Sequence, residues 1–558
     1  MAGTANESGA SFDYIVVGAG SSGCVVAARL SEDARNQVLL LEAGGSDQNL
    51  LIKMPLGFLK AVLDPRLNWP YMTEPEPHLN GRRLPLPRGR VMGGSGSING
   101  MFAMRGHPLD YDQWAQMGAR GWSYADVLPY FRKLEDSWRG EGPYHGVGGP
   151  VRVRPIESPL LHHEPLMEAA PAAGYPITDD LSGANPEGFA RGEMTIDDRG
   201  RRVSAASAYL KPAMNRLNLT VQTGTLVRRV LFEGKRCIGV ELDTPAGPKV
   251  VRARREVILS GGTYNSPHLL MLSGIGPAEH LREHGIDVLH DSPGVGQNLQ
   301  EHPSASMEWE ATSRNTFITH LRWDRVALNT LRWAFTGKGP MATQLNSCNI
   351  VIRTREHLER PDIQFMANPI RFDAQMWFPG IRAEQEHVFW AGLVGLHPAS
   401  RGVVKLKSAD PREVASITLN VMAEEEDRAT MRAAVRAARR VYRTEPQARL
   451  VGRERMPGED VDSEEALDEF IRDNCYVAMH PTSTCAMGMG ERSVVDSELR
   501  VIGVEGLRVA DASVMPTVPG GNTNLPCIMV GEKAADLIRG RSLPSAELPQ
   551  AGPGREAA

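Results

Sequence analysis

The sequence predicts an α/β protein of two domains, and three observations lead to this prediction. A strand–glycine turn–helix–strand pattern opens the chain between Phe12 and Gly45. A second glycine-rich segment follows at Arg88–Asn99. The chain has 558 residues, a length greater than one domain core usually encloses, and 41% of them are hydrophobic.

The first element is the apolar run Asp13–Val17, whose β-branched residues are typical of a buried parallel strand. Gly18, Gly20 and Gly23 follow in G-x-G-x-x-G spacing. This spacing allows a tight turn, a close approach to a pyrophosphate and close packing of the next helix. The helix, about Ser22–Ser31, would direct its N-terminal N–H groups, with Ser21 and Ser22, at the phosphates.

The second strand, Gln37–Leu41, ends at Glu42 and Ala43. A carboxylate at this place can accept hydrogen bonds from an adenosine ribose and would repel a 2′-phosphate. Strand, turn, helix, strand and acid in this order therefore predict a Rossmann-like dinucleotide-binding domain.

The segment Arg88–Asn99 contains four glycines, too many for a regular helix or strand. Its backbone can wrap closely around a ligand with N–H groups and small hydroxyls turned inward. Together with the first motif, it suggests a large, flat dinucleotide in an extended groove.

Composition excludes several classes of function. The net charge is −5 with both signs mixed along the chain, so no nucleic-acid partner is expected. No stretch of about twenty apolar residues predicts a transmembrane helix, and the polar N-terminus lacks the apolar core of a secretory signal. Six scattered cysteines read as reduced thiols, with no metal site. We expect a cytoplasmic protein, with peripheral attachment at the inner face of the membrane left open.

Several motifs resemble those of the glucose–methanol–choline (GMC) family of FAD-dependent oxidoreductases, in the family's order. These are GRVMGGSGSINGMFAMRG from Gly89, Gly261–Gly276, Gly294–His302 (with Glu301 where Asp is usual), His480–Gly488 and Val509–Pro526. The chain looks most similar to the bacterial choline dehydrogenase-like branch, which includes alcohol dehydrogenases. The resemblance implies a Rossmann-like FAD domain and a substrate domain of antiparallel sheet backed by helices.

The resemblance also implies which residues contact FAD. Trp69, Arg90, Gly94, Asn99, Gly100 and Met101 would do so from the first signature and its surroundings, Val227 near the adenine, and Gly261, Asp511, Ala512, Asn522 and Thr523 from the later motifs. Members with covalent flavin carry His at the position of Ile98, so we expect non-covalent FAD. Choline-specific members carry Glu where this chain has Ser347, which makes choline an unexpected substrate.

The same resemblance places His480 and Asn522 at the two catalytic positions. Alcohol oxidation by a flavin requires a base for the hydroxyl proton, and His is the usual choice. The oxygen also needs a donor that holds it as charge develops, and the Asn522 amide suits that role. We therefore expect oxidation of a primary alcohol, apolar and aliphatic or aromatic, to the aldehyde. The acceptor class, whether O2, a quinone or another carrier, stays open.

For the domains we expect 12–157, 203–307 and 486–541 to bind FAD, 158–202 and 308–485 to bind substrate, and 542–558 to be disordered. Aromatic and Met residues of the second domain are pocket candidates: Phe365, Met366, Phe372, Met376, Trp377, Phe378 and Trp390. Alternative functions are a hydroxynitrile lyase of the same fold, an O2-using alcohol oxidase, an NAD-dependent dehydrogenase and a non-catalytic FAD module.

Overall fold

Two seven-stranded sheets organise the chain, each with its own hydrophobic core. The structure is a computed structural model that describes residues 10–156 and 159–548. It confirms the predicted α/β class with a Rossmann-like first domain and a second, antiparallel sheet backed by helices.

The strands of the two large sheets are numbered here along the chain. They are β1 (Ser11–Val17), β2 (Val38–Leu41), β3 (Gly188–Arg191), β4 (Leu219–Gln222), β5 (Leu226–Glu233), β6 (Arg236–Asp243), β7 (Lys249–Leu259), β8 (Pro303–Ala311), β9 (Cys348–Ile352), β10 (Ile363–Asn368), β11 (Val388–Gly395), β12 (Val451–Met456), β13 (Tyr476–Val477) and β14 (Leu507–Val509). Short pairs lie outside these sheets, among them Asn68–Trp69 with Arg88–Gly89 and Val403–Lys405 with Ser416–Thr418.

The α-helices are numbered in the same way. They are α1 (Ser21–Leu30), α2 (Leu50–Lys53), α3 (Phe58–Ala61), α4 (Pro108–Gln116), α5 (Tyr124–Leu134), α6 (His163–Ala172), α7 (Lys211–Ala213), α8 (Gly262–Leu272), α9 (Ala278–Glu283), α10 (Trp323–Thr336), α11 (Glu425–Tyr442), α12 (Glu464–Asn474) and α13 (Asn524–Ile538). Within the described ranges, none of these helices is long and apolar enough to cross a bilayer.

The first sheet has the order β5-β6-β7-β1-β2-β4, and β14 pairs with the end of β7. β1 runs parallel to both neighbours, with Val17 opposite Leu41 and Leu259. β14 is also parallel, with Val509 opposite Leu259. The carboxyl ends of β2, β1, β7 and β14 therefore lie along one edge.

Helices α1, α5 and α13 pack together beside this sheet. Their contact encloses Glu532, whose side chain is fully buried and pairs with Arg29 at 2.7 Å and Lys133 at 2.9 Å. A buried carboxylate needs such partners, because an unpaired charge is costly away from water. This ion cluster connects the C-terminal helix to the N-terminal βαβ unit.

The second sheet has the order β12-β8-β11-β10-β9-β3, with β13 beside β8, and its pairs are antiparallel. Its two faces differ in character. Ile350, Phe365 and Leu393 belong to an apolar core with residues of α11 and α12. The residues that alternate with them, such as Asn349, Gln364 and Met366, lie on the opposite face.

Three expectations differ from the structure. The alternating pattern of Leu219–Val230 predicts one strand, but the run forms two, because the chain turns at Thr223–Thr225 between β4 and β5. The boundary at 307/308 falls inside β8, which pairs with β11 from Ser304 onward, so a boundary near Pro303 fits the sheet better.

The third difference concerns the tail, predicted to be disordered over 542–558. Residues 542–548 lie against α5, where the Ala546 N–H donates to Ala125 O at 2.8 Å and the Ser545 hydroxyl to Asp126 at 2.6 Å. Residues 549–558 lie outside the described residues.

Gly23→Ala should destabilise the fold. A Cβ at Gly23 would fall 1.9 Å from the carbonyl oxygen of Gly18, which is backbone and cannot turn away. We expect the free energy of unfolding to fall by about 1–3 kcal/mol because of the steric clash. Without that clash, replacing Gly by Ala inside a helix would normally stabilise the protein. Denaturant unfolding measures it. Gly45→Ala is the control, since a Cβ there meets nothing within 4 Å; equal stability of the two variants would contradict the packing argument.

Candidate functional site

The carboxyl edge of the first sheet forms one wall of a cavity of about 650 Å³. Most residues singled out from the sequence line it: Gly18, Gly20, Ser21, Ser22, Glu42, Ala43, Trp69, Gly94, Asn99, Gly100, Met101, Val227, Gly261, His480, Asp511, Ala512, Asn522 and Thr523. The structure thus brings together residues from the full length of the chain.

Gly23 and Arg90 are the two exceptions. Gly23 packs α1 against the turn at Gly18, as described above, and does not line the cavity. Arg90 is exposed, and its guanidinium lies over the Trp69 ring, 4.7 Å from the ring centroid. Trp69 itself lines the cavity while Arg90 does not, so Arg90 contacts a lining residue, and its predicted contact with the cofactor stays a prediction.

Two glycines allow the backbone segments to come close together at the part of the cavity next to α1. Gly18 has φ 101°, and a Cβ there would fall 2.4 Å from Ser260 O. Gly94 has φ 55°, and its Cβ would fall 2.8 Å from the Cα of Gly20. The two glycine-rich motifs therefore meet backbone to backbone at the N-terminus of α1, which suits a thin, negatively charged pyrophosphate.

Glu42 follows β2 and is buried at the cavity wall. Its carboxylate accepts hydrogen bonds from the Ala19 N–H at 2.9 Å and the Gly44 N–H at 2.8 Å. Burial raises the pKa of Glu42 to about 7, while these two N–H donors act in the opposite direction. The remaining lone pairs can accept from a ribose hydroxyl.

Asp511, two residues beyond β14, joins the C-terminal motif to the sheet. One carboxylate oxygen accepts from the Gly262 N–H at 2.8 Å and the Ser266 hydroxyl at 2.5 Å. The other accepts from the Ser513 N–H at 2.8 Å. Asp511 thus ties the start of α8 to the segment that leads to Asn522.

His480 and Asn522 lie side by side at the far end of the cavity. The Asn522 amide Nδ2 lies 3.1 Å from His480 Nε2, and its Oδ1 accepts from Gln364 Nε2 at 3.3 Å. An amide nitrogen can only donate, so His480 Nε2 is the acceptor. The Gln364 side chain orients Asn522 for this contact.

The other ring nitrogen of His480 contacts a second histidine. His480 Nδ1 lies 3.0 Å from His302 Nδ1, so one of the two carries the proton. Because His480 Nε2 accepts from Asn522, the neutral His480 ring carries its proton on Nδ1 and donates it to His302. Burial, His302 and Arg88 lower the pKa of His480 well below its usual value. His480 is therefore neutral near pH 7, and its Nε2 accepts from Asn522 where both side chains line the cavity.

The buried carboxylate of Glu301 holds both histidines through their backbone. One oxygen accepts from the His480 N–H at 2.6 Å and the His302 N–H at 3.0 Å. Arg88 donates to the carbonyl oxygen of Met479 at 2.8 Å, and Met479, which precedes His480, has a φ of 65°. The sequence motifs did not predict a role for His302 or Glu301, although both residues belong to the Gly294–His302 motif that resembles the family's.

Large apolar and aromatic side chains also line the cavity. Five of them are called the apolar wall here: Met101, Phe102, Met366, Phe372 and Tyr476. Of the other pocket candidates, Trp390 packs edge-on behind Phe372 with ring centroids 4.6 Å apart.

The remaining pocket candidates lie elsewhere. Phe365 faces the helices, and Met376 and Phe378 are exposed on a loop. Alternation along β10 explains why Met366 lines the cavity and Phe365 does not.

Comparisons with known proteins agree with this geometry. Two sequence models described as GMC oxidoreductase match residues 12–304 and 398–531. The chain is 45% identical over 536 residues to a protein of Brucella ovis named oxygen-dependent choline dehydrogenase, covering 95% of this chain and 96% of the relative.

Solved flavoenzymes share the fold. Pyridoxine 4-oxidase from Mesorbium loti is 29% identical, with a TM-score of 0.83 over 94% of this chain and 98% of that structure. A formate oxidase variant of Aspergillus oryzae RIB40, studied for FAD modification, is 29% identical with a TM-score of 0.88 over 95% and 98%. The chain therefore belongs to the GMC oxidoreductase family, its cofactor is FAD, and it is an oxidoreductase acting on the CH–OH group of donors.

Proposed function

We propose that the protein oxidises a neutral, largely apolar primary alcohol to the aldehyde, with His480 as the base. The observation that carries this proposal is the neutral His480 ring, whose Nε2 lone pair lies in the cavity beside the Asn522 amide. FAD, when bound, supplies the two-electron acceptor that takes hydride from the carbinol carbon.

The chain's own residues handle the proton and the oxygen. The alcohol hydroxyl would replace the Asn522 amide as the donor to His480 Nε2, which takes the proton as the C–O bond gains double-bond character. Asn522 Nδ2 would donate to the same oxygen and stabilise its developing negative charge. The Nδ1–H contact to His302 holds the ring in the tautomer that this transfer needs.

Residues for FAD are proposed along the cavity from Val227 to Asn522. Glu42 would hold the ribose, the Gly18–Ser22 turn and Gly94 the pyrophosphate, and Asn99–Met101 with Ala512 and Thr523 the flavin end. The meeting of Gly94 and Gly20 supports this assignment, because a Cβ at Gly94 would obstruct the groove.

The substrate class follows from the apolar wall and from the carboxylates of the cavity. The described residues that line the cavity include four carboxylates, and each has a partner: Glu42 accepts from Gly44 N–H, Asp511 from Gly262 N–H and Glu413 from the Ser408 hydroxyl, while Asp373 pairs with Arg371 at 2.8 Å. Ser347, at the place of the family's choline-binding Glu, is buried and donates to the Leu161 carbonyl. An alkylammonium head would therefore lack an ionic partner at this wall, which favours a neutral substrate.

His480→Ala should slow flavin reduction by alcohol about 10²–10⁴-fold while the protein stays folded and yellow, since a general base contributes on that order. Higher pH should partly restore the rate, because more alkoxide is then present. In the wild type, the pKa of His480 lies well below its usual value, so the rate should fall only in acid, as the ring becomes protonated. Anaerobic stopped-flow flavin bleaching measures both.

Asn522→Ala is the matched variant for this experiment. This variant should slow flavin bleaching by a smaller factor and show no recovery at high pH. It removes the hydrogen-bond donor to the alcohol oxygen but leaves His480 in place as the base. If the His480→Ala variant bleached at the wild-type rate with FAD fully bound, the base would have to be another residue. Cleavage of a hydroxynitrile without any bleaching by alcohols would instead identify a lyase.

FAD should be bound without a covalent link. Ile98 is 2% exposed, lines the cavity and packs with Ile52 and Val91, so no nucleophile stands at the family's linking position. Acid precipitation should release yellow flavin into the supernatant. Flavin that stays in the pellet would show a bond to another residue.

Benzyl and medium-chain primary alcohols should give higher kcat/KM than choline or glucose. A sugar would leave several hydroxyl groups unmatched by the apolar wall, and unmatched polar groups are costly to bury. Steady-state assays with O2 and with an artificial dye as acceptors test this and identify the acceptor class. A preference for choline or glucose would contradict the proposed substrate.

A further inference from the structure

We propose that α10 and the loop beside it bind the surface of a bilayer that contains anionic phospholipid. The proposed binding face consists of Trp323, Leu328, Leu331 and Phe335 of α10 with Phe378 and Ile381 of the loop. It lies outside the cavity and is independent of the proposed substrate.

The face is apolar and open to solvent. Leu328 is 67% exposed, Leu331 56% and Phe335 86%, while Trp333 is the one side chain of the helix that is fully packed away. Trp333 fixes the helix by donating through Nε1 to Gly200 O at 2.7 Å. A helix that shows Leu, Phe and Trp to water in this way is typical of proteins that lie on a membrane surface.

Helix and loop form one surface. The Trp323 N–H donates to Trp377 O at 3.0 Å, and the Trp323 and Phe378 rings stack with centroids 6.2 Å apart. Ile381, 65% exposed, follows in the same loop. The apolar face therefore extends beyond the helix itself.

Cations surround this face. Arg325, Arg332, Lys338 and Arg382 are exposed, and none of them makes an ion pair within residues 10–156 and 159–548. The nearby acids are already neutralised, since Asp324 pairs with Arg322 at 2.6 Å and Asp373 with Arg371 at 2.8 Å.

The uncompensated charge around the face is positive. It complements anionic headgroups and would repel the same rim on a second copy of this chain. The charge pattern therefore favours a lipid surface over a dimer.

The face also adjoins the entrance to the cavity. Phe372 and Asp373 line the cavity and precede the loop, and Phe58 of α3 meets Phe372 edge-on with centroids 6.2 Å apart. A bilayer against the binding face would lie close to this entrance. An apolar alcohol or a lipid-soluble electron acceptor could then enter from the membrane without crossing water.

Co-sedimentation of the FAD-loaded enzyme with vesicles tests the proposal. The wild type should pellet with phosphatidylcholine vesicles that contain phosphatidylglycerol, and Leu331→Asp/Phe335→Asp should weaken this binding by about tenfold or more. Arg325→Gln/Arg332→Gln should weaken binding only to the anionic vesicles. Dye-linked activity in solution should stay at the wild-type level in both.

Leu217→Asp is the control, because Leu217 is fully exposed but lies on the FAD domain next to β4. It should bind vesicles as the wild type does. A wild type that stays in the supernatant, or a Leu331→Asp/Phe335→Asp variant that pellets equally, would overturn the proposal. A wild-type dimer that this double variant makes monomeric in sedimentation velocity would identify a second copy as the occupant instead.

Discussion

Parallel pairing of β2, β1, β7 and β14 is the constraint on which the site depends. It aligns Leu41, Val17, Leu259 and Val509 across the sheet, so the residues that follow them share one edge. Because the chain leaves each strand at this edge, segments hundreds of residues apart meet there. A shift of register in any of these strands would move one cofactor-facing segment away from the others.

The second sheet contributes side chains to the cavity through simple alternation. Its residues that face the helices are apolar, while the opposite face carries Gln364 and Met366 toward the cavity. Gln364 of this sheet donates to Asn522, so the orientation of the Asn522 amide depends on how the second sheet packs against the segment that follows β14. Substitutions in the core of the second sheet can therefore affect chemistry without touching substrate.

His480, the proposed base, is held by buried polar groups. Glu301 holds the backbone of His302 and His480, and Arg88 holds the carbonyl of Met479. Such groups cost free energy to bury and stabilise the structure only when they are hydrogen-bonded. Here these groups fix the position of the His480 ring, so that its Nε2 lies beside the Asn522 amide. Burial of the ring, with the nearby charge of Arg88, keeps it neutral.

Local sequence patterns determined the fold class, the G-x-G-x-x-G turn and Glu42 at the end of β2, and the resemblance to the GMC family implied the candidates His480 and Asn522. Glycine spacing and β-branched runs act over a few residues, so they can be recognised without the rest of the chain. Only the tertiary structure decided that Arg90 lies outside the wall, that Phe365 faces the helices, and that His302 contacts His480 across 178 residues. Those facts depend on side-chain direction and on packing between distant segments, and no local pattern encodes either.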